Sequence, residues 1–156
     1  MSLDSIELAR LSELPLLAGA PVALIDRLAA SCTKMALAPG QVVIDEGSSN
    51  DSIYLILSGE VGVKLDESDR RVSGVHLASL GVGETFGEYS MFDGEKVSAT
   101  VIARTASILA RFSGDVLRRE LATDPAAGRT VYRNMIVTLV RRLRAKDAEL
   151  DFLTLG

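Results

Sequence analysis

The stretch from Thr33 to Phe112 most limits what this chain can fold into. Its apolar residues come in short runs closed by glycine or by a polar turn: "QVVIDEG", "SIYLILSG", "EVGVKL", "VSGVHLASL", "VSATVIAR" and "ASILARF". In "EVGVKL" the alternation puts Val61, Val63 and Leu65 on one face, the period of a strand. "SIYLILSG" is a near-continuous apolar run closed by Ser58 and Gly59. No helical pattern interrupts the series to make a βαβ unit. Short strands with turn chemistry between them predict an antiparallel sandwich, roll or barrel.

Helices flank this block on both sides. Residues 4–32 read as helical, with Ile6, Leu8, Leu11 and Leu14, a break at Gly19–Pro21, then Val22, Leu24, Ile25, Leu28 and Ala29. Residues 113–153 return to helix. Ser113 and Asp115 can cap a short one through Leu121, and Asp124-Pro125 starts a long one, since proline is tolerated in a first turn. From Pro125 to Phe152 it would extend about 40 Å. That is as long as a domain of this size is wide, so the helix needs a partner beyond its own barrel.

Its apolar spacing suggests which. Tyr132, Ile136, Leu139, Leu143, Lys146, Leu150 and Leu153 follow a strict 4-3 pattern, the seam of a coiled coil. In a parallel pair Arg142 would stand opposite the partner's Asp147, and Met135 opposite the partner's Val140. A homodimer through this helix is the expectation; a helix lying on its own barrel is the alternative.

Composition narrows the function. The 156 residues make one domain, 1–156, with 47% apolar and 24% charged residues. A formal net charge of −4 disfavours nonspecific nucleic-acid binding, and the basic residues of the last third read as a solvated helix face. The longest apolar run, Leu14 to Ile25, is too short and too broken to span a membrane, and the acidic Asp4 and Glu7 before it argue against a signal peptide. A single cysteine, Cys32, excludes an internal disulfide and fits a reducing cytosol, so a cytoplasmic protein is expected. One histidine, His76, and one cysteine cannot supply the usual metal or iron–sulfur ligand set, so no metal or other cofactor is expected. They read as a wall residue and a small core filler. No nucleophile–base constellation is visible, and Glu95, in a glycine-containing turn, makes a poor carboxylate partner for Glu88. The chain is not expected to be an enzyme.

One loop stands out. "FGEYSMFDGEKVSATV", residues 86–101, carries two glycines, two glutamates and the small hydroxyls Ser90, Ser98 and Thr100, as a loop that holds a small anion would. Together with "LAPGQVVIDEGSSNDSIYLILSGEVGV" (37–63), "LGVGETFGE" (80–88), "SATV" (98–101) and "LVRRLR" (139–144), it makes the chain resemble the cyclic nucleotide-binding domain family. The likeness covers essentially the whole chain. It implies a mainly β, α+β fold: a jelly-roll-like β-roll flanked by N-terminal helices and a long C-terminal dimer helix. The loop becomes a phosphate-binding cassette in which backbone N–H groups after Gly87 cradle a cyclic phosphate. By resemblance Glu88 accepts a ribose hydroxyl, Ser90 offers its amide, and Ser98, Ala99 and Thr100 complete the loop. Phe86 and Gly87 belong to the same cassette, and Tyr89 or Phe92 can stack on a base or simply cover the mouth.

The sequence departs from the family at one position. The phosphate-binding arginine comes immediately before the Ser/Ala pair, and here that residue is Val97. Losing one partner of a buried charge pair costs about 2–5 kcal/mol. Lys96 can substitute only if its side chain turns inward, against the alternation of an extended segment. Lys146, polar within the seam, either reaches the ligand or fixes register. Family transcription factors carry a helix-turn-helix after the long helix, and the residues beyond Leu153 are too few for one, so direct DNA binding is not expected. Two functions follow. One is a stand-alone sensor of cyclic AMP or cyclic GMP, cyclic AMP favoured. The other is a dimerising interaction module whose cassette is altered or serves another small anion.

Overall fold

The computed structural model describes residues 3–70 and 72–155. Asp4 opens α1 (Ser5–Glu13): its carboxylate accepts from the amides of Ile6 and Glu7, and Glu7 accepts in return from the amide of Asp4. This reciprocal cap satisfies amides that the first turn leaves unpaired. A 3-10 turn (Pro15–Leu17) and α2 (Val22–Ser31) follow, so the break runs from Leu14 to Pro21, wider than Gly19–Pro21. The expected stripe also needs correction, because Ile6 and Val22 are exposed. On α1 the buried pair is Glu7 and Leu11, four residues apart, and Ile6 lies about 100° round the helix from Glu7. Lys34 draws Glu7 inward through an ion pair at 2.5 Å.

Among the described residues eight strands form two antiparallel four-stranded sheets. One has the order β1 (Thr33–Leu37), β8 (Ser107–Ser113), β3 (Ser52–Ser58), β6 (Thr85–Phe86). The other runs β2 (Val42–Ile44), β7 (Thr100–Ala103), β4 (Val61–Leu65), β5 (Val75–Leu80). The near-continuous apolar run of β3 now has its cause. Ile53, Leu55 and Leu57 pack against the helices, while Tyr54 and Ile56 face the inside of the roll. A strand covered on both faces loses its polar alternation. β8 does the same, with Ala110 and Phe112 toward the helices and Leu109 inside.

A short helix, α3 (Glu88–Asp93), sits between β6 and β7, in the cassette. After β8 come α4 (Gly114–Thr123) and α5 (Pro125–Leu155), the latter capped by Asp124, whose carboxylate accepts from Ala126 and Ala127 at 3.1 Å each. The 31 residues of α5 make it about 46 Å long. Its first half lies on its own body: Ala127, Val131 and Met135 are buried in the helical core, and the Asn134 amide donates to the carbonyls of Leu16 (3.1 Å) and Ala18 (2.8 Å). Met135, set opposite the partner's Val140 by the heptad pattern, is therefore a core residue, and Leu139 is half-buried against the same cluster. Ile136, Leu143, Leu150 and Leu153 are 60–75% exposed.

Candidate ligand site

The cassette pivots on Gly87. Its φ is +88°, and a Cβ there would stand 2.6 Å from the Ser52 carbonyl oxygen, so only glycine fits this turn. Asn50 pins the pivot, its side-chain amide donating to the carbonyls of Ser52 (2.8 Å) and Gly87 (3.0 Å). Just before it, Phe86 is buried and stacks on Tyr54 with ring centroids 4.9 Å apart. Just after it, α3 begins with Glu88 turned inward, 2% exposed.

A buried carboxylate needs a partner, and the one that Glu88 finds comes from α5. The guanidinium of Arg142 pairs with Glu88 Oε1 and also donates to the Thr85 carbonyl at 2.8 Å. Arg142 is thus engaged within its own chain rather than held free for the partner's Asp147. The other oxygen, Glu88 Oε2, is buried with no hydrogen-bond partner among the described residues. Further along, Tyr132 meets Phe92 edge-on, centroids 5.9 Å apart. α5 therefore touches both ends of α3, with Arg142 at its start and Tyr132 near its end.

The other expected site residues divide. Val97 packs against the inner cluster that includes Ile44, Tyr54, Phe86 and Val101, and its backbone pairs with the Gly47–Ser48 turn at 2.8 and 2.9 Å. Lys96 is exposed and gives its ammonium to Ser49 Oγ at 2.8 Å, so it turns outward and does not stand in for the absent arginine. Ala99 is buried and Ser98 exposed. Thr100 is buried, but on the far side of β7 from the inward Val101. Its hydroxyl accepts from the Glu46 amide at 2.9 Å and donates to the Asp66 carboxylate, so it ties neighbouring loops together instead of facing the roll interior. Tyr89 is half exposed. Ser90 lines a cleft of about 330 Å³ with Asn50, Asp51, Glu95 and Arg118, between α3, the β2–β3 loop and α4. Lys146 does not reach the cassette: it donates to the Leu77 carbonyl on β5 (3.2 Å) and pairs with Glu149 (2.8 Å).

Sequence reasoning did not single out Asn50, Arg118 or Arg142 as site residues. Arg118 on α4 grips Asp51 with two bonds of 2.8 Å, pairs with Asp115 and donates to the Met91 carbonyl, so it fastens α4 to the cassette helix. Asp51 and then Asp115 hold its guanidinium above the ordinary arginine range. No local pattern marks Asn50 or Arg118. For Arg142 the only hint was a basic side chain flanking the seam. Elsewhere, burial and then Glu7 push the Cys32 thiol up, which suits a filler better than a nucleophile. No group of three His, Cys, Asp or Glu among the described residues could hold a metal, and no described helix is long and apolar enough to cross a membrane.

The model of the cyclic nucleotide-binding domain matches residues 34–124, more than half of the chain. The chain belongs to the cyclic nucleotide-binding domain family. The match covers both sheets, the cassette and α4, and it ends one residue before α5. Glutaminase 1 of Bradyrhizobium diazoefficiens is 31% identical over 98% of this chain and 24% of its own length. The cyclic AMP receptor protein of Thermus thermophilus is 35% identical over 74% of this chain and 50% of its own. The chain thus spans a quarter and a half of these two relatives. A cyclic nucleotide-binding domain from Methylobacillus flagellatus superposes with a TM-score of 0.80 at 28% identity, over 96% of this chain and 83% of that one. The family is regulatory rather than catalytic, and members with this jelly-roll fold support a sensing role.

Proposed function

We propose that this chain is a sensor that binds a cyclic nucleotide between the 86–101 cassette and α5 and reports it through α5 to a second copy of itself. One observation carries the reading. Glu88 is a buried carboxylate with one oxygen held by α5 and the other lacking a donor among the described residues. A ligand hydroxyl delivered to Glu88 Oε2 would satisfy a group whose desolvation is otherwise uncompensated. A ligand in that place sits against the helix whose position it must change, and it biases whichever arrangement it contacts better. The Thermus relative is named a cyclic AMP receptor protein, which favours cyclic AMP over cyclic GMP as the first ligand to try.

The test is a thermal melt with and without millimolar cyclic AMP, cyclic GMP or cyclic di-GMP. Ligand at a hundred times its dissociation constant adds about 2.7 kcal/mol, a rise of roughly 5–10 °C for a domain of this size. No shift with any of them would overturn the sensor reading.

A second reading keeps the fold as a dimerising module with another small anion, or nothing, in the cassette. The observation favouring it is Val97, whose side chain belongs to the apolar lining of the roll. Val97→Arg separates the two: sharply improved binding supports the altered cassette, whereas little change supports a site that already works.

A further inference from the structure

We propose that Arg142 is the cation this site offers to the phosphate of its ligand, and hence its specificity-determining residue. The inference rests on the sensor reading above. A cyclic phosphate is a monoanion, and an anion taken from water into a partly buried site needs a positive partner or a set of donors. Position 97 offers a valine within the apolar lining. Among the described residues three cationic side chains belong to the cassette or bond to it. Lys96 is turned outward onto Ser49. Arg118 spends its guanidinium on Asp51, Asp115 and the Met91 carbonyl. Arg142 alone reaches the buried carboxylate.

Its geometry suits the role. The side chain is one-third exposed along its length while its tip lies on a carboxylate whose own side chain is 3% exposed. A guanidinium carries five N–H donors, and the bonds to Glu88 and to Thr85 use two of them. Because Glu88 Oε2 is buried without a donor among the described residues, a ligand hydroxyl that reaches it and Arg142 can occupy the two oxygens of one carboxylate together. In a cyclic nucleotide the free ribose hydroxyl is on the carbon next to one that carries a phosphate oxygen. A ligand anchored on Oε2 therefore brings its phosphate within one sugar ring of the guanidinium. The planar fork of arginine can bridge carboxylate and phosphate, which the point charge of lysine does less well. Since Arg142 stands on α5, the phosphate then pulls directly on the helix that carries the signal.

The experiment is calorimetric titration of the full chain with cyclic AMP and with adenosine, which keeps the base and the ribose hydroxyl but lacks the phosphate. A bond to a charged group is worth roughly tenfold to a hundredfold in affinity. Unmodified protein should prefer cyclic AMP by that factor, and added salt should shrink the preference. Arg142→Gln, neutral and still able to donate, should bring the two ligands within about threefold by lowering cyclic AMP affinity. Arg142→Lys should restore part of the preference and guards against a Gln variant that does not fold. Equal affinity of the unmodified protein for cyclic AMP and adenosine would overturn this inference and leave the sensor reading standing. So would a preference that survives in Arg142→Gln. Binding of neither ligand would overturn the sensor reading and this inference with it.

Discussion

A side chain at position 87 would have to share space with the backbone of β3. A Cβ placed only 2.6 Å from the Ser52 carbonyl oxygen is a backbone clash, and the left-handed φ of +88° adds strain of its own. Gly94, at the other end of α3, has a φ of +72° but nothing within 4 Å of a Cβ. Gly94→Ala should therefore cost about 1–2 kcal/mol, the conformational penalty alone. Gly87→Ala should cost about 2–4 kcal/mol and lower the melting temperature by roughly 5–15 °C. Differential scanning calorimetry of the two variants checks this, and equal losses would mean that the close approach to Ser52 yields easily. Gly87 was legible in the sequence because its role is local, a turn that excludes a Cβ, and Glu88 was singled out only through the family resemblance of the segment around it. Arg142 was not, because its partner is 54 residues away and its neighbours follow a heptad. Thr100 misled in the opposite sense. Its small hydroxyl fits a phosphate loop, but strand alternation beside the inward Val101 sends it to the other face.

Two apolar stripes run along α5, and only one of them was visible in the sequence as an organising pattern. The 4-3 spacing picks out Tyr132, Ile136, Leu139, Leu143 and Leu150. The structure buries Ala127, Val131 and Met135, with Leu139 half-covered beside them, against the N-terminal helices. A helix can pack on its own body along one stripe and leave a second exposed, so the two sequence alternatives do not exclude each other. Periodicity reports that a stripe is apolar without saying what covers it, and Asn134, whose amide fixes the helix onto the Leu16 and Ala18 carbonyls, carries no periodic signature. Adjacent positions separate the stripes. Met135→Ala should destabilise the fold by about 2–4 kcal/mol at any protein concentration, because it leaves a cavity in a packed core. Ile136→Ala should leave a dilute sample nearly unchanged and lower stability only where the chains associate. Chemical denaturation over a hundredfold range of concentration reads both; a concentration-independent loss at Ile136 would assign that residue to its own chain's core.

At the scale of the molecule, the exposed stripe decides what α5 can do for a sensor. Ile136, Leu143, Leu150 and Leu153, each 60% exposed or more, project from the helix that bears the cassette contacts of Tyr132 and Arg142. Side chains of this size left in water along several turns are a surface for another apolar stripe, and an identical stripe offers self-complementary spacing. With Met135 in its own core and Arg142 already bonded to Glu88, neither is held in place for the partner's Val140 or the partner's Asp147. The seam itself would have to fix the orientation of a dimer. The expected outcome is a dimer at micromolar concentration that Leu143→Glu converts to monomer in sedimentation velocity, since a charge at a buried seam position is left unpaired. Orientation has its own measurement. In a Cys32→Ser background, Leu150→Cys should cross-link in mild oxidant if two α5 helices run parallel and in register, because identical seam positions then meet. A dimer that sediments intact but never cross-links at position 150 would be antiparallel or staggered. An antiparallel pair over the exposed seam from Ile136 to Leu153 would bring the two Arg142 side chains within about two turns of each other near its middle, whereas a staggered parallel pair would offset them by the stagger.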